Sequence, residues 1–261
     1  MADIYTMGVD VGSTTSKCLV LKNGTDVVGS AIIPAGTGTS GPARAVASAL
    51  EQAGLQREQI SALTATGYGR NTFEGADYVV SELSCHAMGA AVTFPGVRTV
   101  IDIGGQDAKV MSMTPQGKLD RFIMNDKCAA GTGRFLDVMA RILELDVNDL
   151  GEKDAQATEV IKISSTCTVF AESEVISQLA KNVNICDLVA GINASVAART
   201  ASLAKRLGLV EPVAMTGGVA RNPGVVRALE RELNTQIQVS PEAQLNGAFG
   251  AALHAWNKVK E

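Results

Sequence analysis

The sequence predicts an α/β fold that contains an internal duplication. Two stretches, GVDVGSTTSK at 8–17 and VIDIGGQDAK at 100–109, share an apolar segment, an Asp, a Gly-rich turn and a Lys. The aligned positions, ninety-two residues apart, are Asp10 with Asp102, Gly12 with Gly104, and Lys17 with Lys109. Helical and strand-like segments alternate along the rest of the chain, a pattern typical of α/β proteins.

Alternating and helical hydrophobic periodicities place the elements of this fold along the chain. The predicted strands are 3–11, 17–22, 27–33, the start of ALTATGYGR at 62–70, 98–103, 108–113, 120–124, 159–164, 213–216 and 236–239. The predicted helices are 42–53, 81–91, 128–145, 171–182, 187–207, 224–234 and an Ala/Gly-rich helix within 243–256. Asn23-Gly24 and Gln116-Gly117 supply hairpin turns within the two repeats.

The repeats divide the chain into two subdomains. We expect subdomain I at 1–96, with the first Gly-rich loop, completed by the C-terminal helix at 244–261. Subdomain II is expected at 97–243 and holds the second loop, two cysteine motifs and a third Gly-rich loop. The chain has 261 residues, of which 46% are hydrophobic, so it is long enough to bury a sizeable core.

Composition argues against nucleic-acid binding and membrane insertion. The formal net charge is −4 and aromatic residues make up 4% of the chain, so the sequence shows neither a cationic stripe nor a set of stacking rings. No apolar run reaches the roughly 18 residues of a membrane span. The start, MADIYTMGVDVG, enters a strand pattern without a signal-peptide region. We therefore expect a soluble cytoplasmic protein with no nucleic-acid and no membrane partner.

The repeated loops have the composition of phosphate-binding turns. Glycine lets backbone N–H groups approach an anion closely, and neighbouring hydroxyl groups and amides can surround it. Asp10 and Asp102, each near the end of a strand, are candidates to hold Mg²⁺ or to position a water molecule. A single loop of this kind is equally typical of an ordinary hairpin, and the repetition in register favours phosphate binding. A third loop, in VAMTGGVARNPGV at 213–225, suits the adenosine and α-phosphate of a nucleotide or is an ordinary strand-to-helix turn.

Two of the five cysteines are candidate metal ligands. Cys128 lies in NDKCAAGTGRFLDVMARIL at 125–143 and Cys167 in KISSTCTVFAESEVISQLA at 162–180, each at or just before a predicted helix start. Asn125 and Asp126 are the predicted capping residues of the first helix. The free N–H groups and dipole of a helix N-terminus stabilise a thiolate or an anionic cluster.

A [4Fe–4S] cluster takes four cysteine ligands, and one chain offers two well-placed thiols. The economical arrangement is a twofold axis, with Cys128 and Cys167 of two chains around one shared cluster. A zinc ion with four thiolates is the chemical alternative that spacing leaves open. The remaining candidates are interpreted as packing residues: Cys18, Cys85, Cys186, His86, Met111 and Met139.

The chain resembles the ATP-dependent activators of 2-hydroxyacyl-CoA dehydratases, within the actin, sugar-kinase and Hsp70 superfamily. The resemblance covers nearly the whole chain and rests on DVGSTTSK, ATGYGRN, SELSCHAMGA, DIGGQDAK, NDKCAAGTGRFLDVMA, SSTCTVFAESEVISQLA and MTGGVARN. It implies an actin-like (ribonuclease H-like) two-subdomain ATPase fold with the nucleotide in the cleft. It also implies a homodimer with one bridging [4Fe–4S] cluster, ATP or ADP with Mg²⁺, a partner dehydratase, and ferredoxin or flavodoxin as reductant.

In this scheme each loop residue has an expected role. The expected phosphate ligands are Gly12, Ser13, Thr14, Thr15 and Lys17 in the first loop and Gly104, Gly105, Gln106 and Lys109 in the second. The expected adenosine contacts are Gly217, Gly218, Val219 and Ala220. Asp10 and Asp102 are the expected catalytic carboxylates, and Gln106 orients the attacking water, with Asp107 as the weaker candidate.

Other functions compete with the activator. A small-molecule kinase of the same superfamily predicts phosphate transfer to a sugar or acid and no iron. A non-enzymatic, ATP-regulated assembly protein predicts filaments or client binding. An activator-type ATPase subunit of a benzoyl-CoA reductase shares the cysteine motifs. These motifs favour an activator over the first two, in which the cysteines have no evident role.

Overall fold

The computed structural model describes residues 3–163 and 167–261 and shows two α/β units. The first unit consists of Met1–Gly96, Thr114–Leu119 and Leu245–Glu261, and the second of Val97–Met113 and Asp120–Gln244. Each unit is built on a five-stranded mixed sheet flanked by helices, so the α/β class is confirmed. Among the described residues, no helix is both long enough and apolar enough to cross a membrane.

Among its described residues, the first unit carries five strands and three α-helices. They are β1 (Tyr5–Val11), β2 (Ser16–Lys22), β3 (Asp26–Ile33), α1 (Gly41–Ala53), β4 (Ile60–Thr66), β5 (Tyr78–Val79), α2 (Glu82–Thr93) and α8 (Asn246–Lys260). The strand order is β3-β2-β1-β4-β5. β1 is antiparallel to β2 and parallel to β4, which puts β1 at the centre of the sheet.

The second unit repeats this arrangement. Its elements are β6 (Thr99–Ile103), β7 (Ala108–Met113), β8 (Leu119–Asn125), α3 (Gly133–Ile142), α4 (Leu150–Ala155), α5 (Thr168–Leu179), α6 (Ile185–Leu207), β9 (Val213–Thr216), α7 (Pro223–Leu233) and β10 (Ile237–Val239). Its strand order, read as β8-β7-β6-β9-β10, matches the order β3-β2-β1-β4-β5 of the first sheet strand for strand. β6 is antiparallel to β7 and parallel to β9, so the internal repeat in the sequence corresponds to a repeated sheet topology.

Close backbone packing joins α8 to the sheet of the first unit. A Cβ at Gly8 of β1 would overlap the carbonyl oxygen of Ala248, and one at Gly250 would overlap the carbonyl oxygen of Cys85 on α2. Only glycine permits this approach, because any side chain would push the helix away. Leu19 of β2 packs with the apolar side of α8 in a buried cluster. The last helix of the chain therefore forms part of the core that begins with the first strand.

The strand predicted at 159–164 is wrong for residues 159–163, which form no strand, and residue 164 lies outside the described residues. The backbone of this segment is bonded to α6 instead. The Asp187 carboxylate accepts hydrogen bonds from the N–H groups of Thr158 and Glu159, at 2.7 and 3.0 Å. The N–H of Ile161 donates to the carbonyl of Asp187 at 3.3 Å. These tertiary contacts replace the ladder of a sheet, and they also hold the pKa of Asp187 below its ordinary value, with the Glu159 N–H as the main cause.

We predict that Asp187→Asn lowers the free energy of unfolding, because an amide NH₂ would face the backbone donors of Thr158 and Glu159. The folded pKa of Asp187 is depressed, so its contribution is fully present above the unfolded value of about 3.9 and is lost as the pH falls through the folded pKa. Urea unfolding from pH 7 down to below pH 4 measures this. The gap between wild type and variant should be largest at neutral pH and shrink in acid.

The control is Asp146→Asn. Asp146 accepts from Asn148 within its own exposed turn, so its replacement should have a smaller effect. A gap for Asp187→Asn that stays constant across the pH range would contradict the role assigned to the ionised carboxylate.

Candidate functional site

The first loop joins β1 to β2 and is held by a cross-strand ion pair. Asp10 and Lys17 are direct partners in the antiparallel register, and the Lys17 Nζ lies 3.1 Å from the Asp10 Oδ2. The N–H of Gly12 donates to the carbonyl of Thr15 at 3.1 Å, which closes the turn. The Lys17 side chain remains 14% exposed, and the loop residues Gly12, Ser13, Thr14 and Thr15 are half-buried. An amine and three hydroxyl groups thus occupy one accessible strand end, which suits an anion.

The second loop repeats this geometry with one more carboxylate. Asp102 and Lys109 are cross-strand partners, with the Lys109 Nζ 3.5 Å from the Asp102 Oδ2 and 2.7 Å from the Asp107 Oδ2. The N–H of Gly104 donates to the carbonyl of Asp107 at 2.9 Å. The Lys109 side chain is 2% exposed and already engaged by two carboxylates, whereas Gln106 is exposed at the loop tip. Asp107 therefore has a visible role beside Lys109 that its spacing in the sequence did not indicate.

The two aspartates differ in what their second oxygen contacts. Strand register places Thr66 of β4 beside Asp10 and Thr216 of β9 beside Asp102. The Thr216 hydroxyl donates to the Asp102 Oδ1 at 2.7 Å, whereas the Thr66 hydroxyl donates to the carbonyl of Val80. The Asp10 Oδ1 is consequently buried without a hydrogen-bond partner among the described residues. A buried carboxylate oxygen of this kind calls for a further ligand.

The third loop follows β9 and packs against the second loop of the same unit. Gly217 has φ 87°, and a Cβ there would overlap the carbonyl oxygen of Ile103 and lie 3.0 Å from the Asp102 Oδ1. The side chains of Val219 and Ala220 are buried in the core of the unit, while Gly218 is half-buried. The backbone of this turn, rather than its side chains, is the part that can face a ligand.

Cys128 lies in a loop, and the helix predicted from residue 128 begins at Gly133 instead. The predicted capping role of Asn125 and Asp126 is wrong, because Thr132 is the N-cap residue. Asn125 ends β8, and its amide donates to the carbonyl of Cys128 at 3.0 Å, which orders the loop. Gly131 has φ 89°, a left-handed conformation that interrupts a helix. Cys128 is half-buried and packs against the core of the unit.

The start of α3 is docked on the second loop. The N–H of Gly133 donates to the carbonyl of Gly104 at 2.9 Å, and the N–H of Arg134 donates to the carbonyl of Gly105 at 2.8 Å. These two helix-start donors are therefore used by the loop and do not serve the Cys128 thiol, contrary to the expectation from the sequence. The same bonds connect the candidate phosphate loop to the segment that carries Cys128.

Cys167 lies at a helix start, as its motif predicts. It is the N-cap residue of α5, and its side chain is exposed. The helix continues with Val169, Phe170 and Ile176 on the exposed side, and Phe170 is 69% exposed. The preceding residues of the motif, 164–166, lie outside the described residues. An accessible thiol beside an apolar helix face is thus present in the second unit.

The other cysteines have environments that agree with packing roles. Burial raises the pKa of the Cys18 thiol, and it raises that of Cys85 to about 11. Both thiols therefore stay protonated near neutral pH, and a protonated thiol is a poor metal ligand. Cys186 is half-buried in the first turn of α6. Met111 and Met139 are fully buried, as predicted.

His86 is a residue whose position near the site could not be read from the sequence. It is buried on α2, and the Asn246 amide donates to its carbonyl at 2.9 Å. A Cβ at Gly247 would lie 2.9 Å from the His86 Nε2 and 3.2 Å from the Asp10 Oδ2. The imidazole and the carboxylate therefore flank the same glycine. Asp10, His86 and Gly247 are far apart in the chain, so no local sequence motif predicts that they lie together.

Known proteins of high similarity cover almost the whole chain. The (R)-2-hydroxyglutaryl-CoA dehydratase activating ATPase of Acidaminococcus fermentans is 59% identical over 98% of this chain and 98% of its own. The activator of lactoyl-CoA dehydratase from Anaerotignum propionicum is 53% identical over 99% of this chain and 100% of its own.

Solved structures agree with these similarities. The activator of the 2-hydroxyisocaproyl-CoA dehydratase from Clostridium difficile, with bound ADPNP, superimposes with a TM-score of 0.97 at 56% identity, over 98% of this chain and 96% of the other. A ROK family glucokinase from Streptomyces griseus superimposes with a TM-score of 0.61 over 97% of this chain and 99% of the other. Because the two sequences are only 16% identical, this superposition shows a shared fold and no more. The sequence pattern of the BadF/BadG/BcrA/BcrD ATPase family matches residues 7–255, and the chain belongs to that family.

Proposed function

We propose that this protein is the ATP-dependent activator of a 2-hydroxyacyl-CoA dehydratase. ATP hydrolysis drives one low-potential electron to the dehydratase, and ferredoxin or flavodoxin supplies that electron. The observation that carries the proposal is the identity of 53–59% over nearly the full chain to relatives named as such activators. The five free cysteines fit the reducing cytoplasm that we expect for this chemistry.

The Gly-rich loops bind the nucleotide in this proposal. The Lys17 amine and the hydroxyls of the first loop contact phosphate oxygens, because this amine is partly accessible and sits at the strand end. The backbone of the Gly104–Gly105 turn contacts phosphate from the second loop, and the Gly217–Ala220 turn contacts the adenosine. Gln106 is exposed at its loop tip, where it can orient the attacking water. A relative solved with bound ADPNP supports nucleotide binding by this fold.

The donor set of the first loop fits Mg²⁺. Asp10 has one oxygen bound to Lys17 and a second, buried oxygen without a partner among the described residues. Mg²⁺ prefers carboxylate and water ligands, so Asp10 would hold the ion directly or through water. Asp102 is saturated by Lys109 and Thr216, which suits it to fix the second loop and to position water rather than to bind an ion directly.

The thiols of the second unit fit a [4Fe–4S] cluster shared by two chains. Cys128 and Cys167 would hold it, and a second copy would provide the other two thiolates that the cluster needs. The cluster supplies one-electron transfer at low potential when it is bound. The exposed apolar side of α5, with Val169 and Phe170 next to Cys167, gives the second copy a surface to pack on.

The hydrogen bonds at the start of α3 provide the coupling between nucleotide and thiols. Gly104 and Gly105 accept from Gly133 and Arg134, so a change in the backbone of the second loop has to move the start of α3. The loop that carries Cys128 is tied to the same helix start. ATP binding and hydrolysis at the second loop therefore displace the Cys128 segment and alter access to it from the partner enzyme.

The first experiment is anaerobic purification followed by iron, acid-labile sulfide and zinc analysis, with the molar mass from light scattering. We expect a dimer with about two irons per chain and an EPR signal of a reduced [4Fe–4S] cluster after dithionite treatment. A protein without iron, or with stoichiometric zinc, would contradict the electron-transfer function.

A second prediction concerns the thiols. Cys128→Ser and Cys167→Ser should each abolish iron binding and leave ADP affinity within about twofold, because a hydroxyl is a poor ligand for iron in a cluster. Iron content and ADP titration calorimetry measure the two properties. Cys186→Ser, at a half-buried thiol of the same unit, is the control and should retain iron. Full iron content in both test variants would overturn the ligand assignment.

A third prediction concerns the first loop. Lys17→Ala should weaken ADP binding about ten- to hundredfold, because it removes a charge-assisted hydrogen bond to phosphate, and should leave iron content unchanged. Lys22→Ala is the matched control, since Lys22 lies on the same strand in an exposed ion pair with Asp3. If Lys17→Ala lost iron and kept its ADP affinity, the assignment of the first loop to nucleotide binding would be wrong.

A further inference from the structure

A chain of buried polar side chains ends at the third Gly-rich loop. Asp154 on α4, Asn193 on α6 and Asn222 before α7 are all buried, and Asn193 has no exposed surface. The Asn193 Nδ2 donates to the Asp154 Oδ1 at 3.2 Å, and the Asn222 Nδ2 donates to the Asn193 Oδ1 at 3.0 Å. Arg227 donates to the Asp154 Oδ2 and neutralises the carboxylate. We call these three residues, without Arg227, the polar chain.

The charge of Asp154 sets the direction of every bond in the polar chain. A carboxylate only accepts, so Asn193 has to turn its NH₂ toward Asp154 and its oxygen toward Asn222. Asn222 must then donate to Asn193, which leaves its oxygen for the N–H groups of Gly224 and Val225, at 2.9 and 3.4 Å. These two bonds cap the N-terminus of α7. Each amide in the chain therefore has one orientation that satisfies all its partners.

The polar chain is connected directly to the turn that follows β9. Asn222 comes immediately after the Gly218–Arg221 turn, and its own N–H donates to the carbonyl of Val219 at 2.9 Å. Gly224 packs so closely that a Cβ there would overlap the Asn193 amide, so the start of α7 has no room to shift toward α6. The backbone of the turn is thus anchored through Asn222 to two other helices.

We propose that Asp154, Asn193 and Asn222 are positioning residues for the nucleoside part of the nucleotide. They act by holding the Gly217–Arg221 backbone in place, and none of them contacts the phosphate loops in the described bonds. The inference rests on the proposed function, which assigns the Gly217–Ala220 part of this backbone to adenosine. It follows that a break in the polar chain weakens binding of ADP but not of pyrophosphate, which lacks the nucleoside.

The test compares ADP and pyrophosphate binding by titration calorimetry in the full-length protein. Asn193→Leu removes the partner of the Asp154 Oδ1 and of the Asn222 Nδ2, and we expect ADP affinity to fall about tenfold. Pyrophosphate affinity should stay within about twofold. Thr200→Val is the matched control on the same helix, because the buried Thr200 hydroxyl has no hydrogen-bond partner among the described residues. It should change neither affinity.

A second pair of variants keeps the test decisive if Asn193→Leu folds poorly. Asn193→Asp has the same shape but places a second carboxylate against Asp154, and ADP affinity should fall. Adding Asp154→Asn restores one carboxylate and one amide at this contact, and it should recover most of the lost affinity.

The possible results distinguish a failure of the positioning role from a failure of the proposed nucleotide site. Equal loss of ADP and pyrophosphate binding, or no recovery in the double variant, would overturn the positioning role. Wild-type protein that binds ADP no more tightly than pyrophosphate would instead overturn the assignment of the turn to adenosine, and with it the proposed nucleotide site.

Discussion

An ion pair between two neighbouring strands underlies both halves of this molecule. Burying a carboxylate or an amine costs several kcal/mol unless charge and hydrogen bonds compensate it. In the second unit the compensation is complete in the described bonds: Lys109 contacts Asp102 and Asp107, and Thr216 donates to the remaining oxygen of Asp102. Because Thr216 ends the strand that leads into Gly217, the same carboxylate also sets where the third loop begins. One buried carboxylate thus contacts the strands that flank both the second and the third loop.

The first unit repeats the pair but leaves it incomplete. Asp10 and Lys17 occupy the same register as Asp102 and Lys109, yet Thr66 turns its hydroxyl to the carbonyl of Val80. The two units therefore differ at equivalent carboxylates. Both oxygens of Asp102 have partners, whereas the Asp10 Oδ1 has none among the described residues. The two turns are similar in backbone and register. The direction in which the hydroxyl of Thr66 or Thr216 points decides whether the neighbouring aspartate has an oxygen available for a ligand.

Local patterns predicted the elements whose stability is local. The strands that flank each Gly-rich loop follow from alternating apolar residues, and the apolar spacing at Phe135, Leu136 and Met139 correctly indicated a helix. The start of that helix was misplaced because it depends on Gly131 in a left-handed conformation and on acceptors in the Gly104–Gly105 turn, far away in the sequence.

The strand predicted at 159–164 failed for the same reason. Val160 and Ile161 have β propensity, but the backbone there is satisfied by Asp187 on α6, and tertiary contacts override propensity. In the candidate site, the Asp–Lys pairs follow from strand register once the repeat is recognised. The proximity of His86 to Asp10 and the different roles of Thr66 and Thr216 could not be predicted, because side-chain direction and distant pairing decide them.

The glycine-mediated packing of α8 has a consequence for how the chain is made. The first unit needs residues 245–261, which are synthesised after every element of the second unit, to cover β1 and to bury Leu19. The second unit draws its strands and helices from 97–113 and 120–244, so its core is complete before α8 has been synthesised. The first sheet therefore keeps one apolar face uncovered until α8 has been synthesised, so the unit whose first strand is made before the second unit completes its core after it.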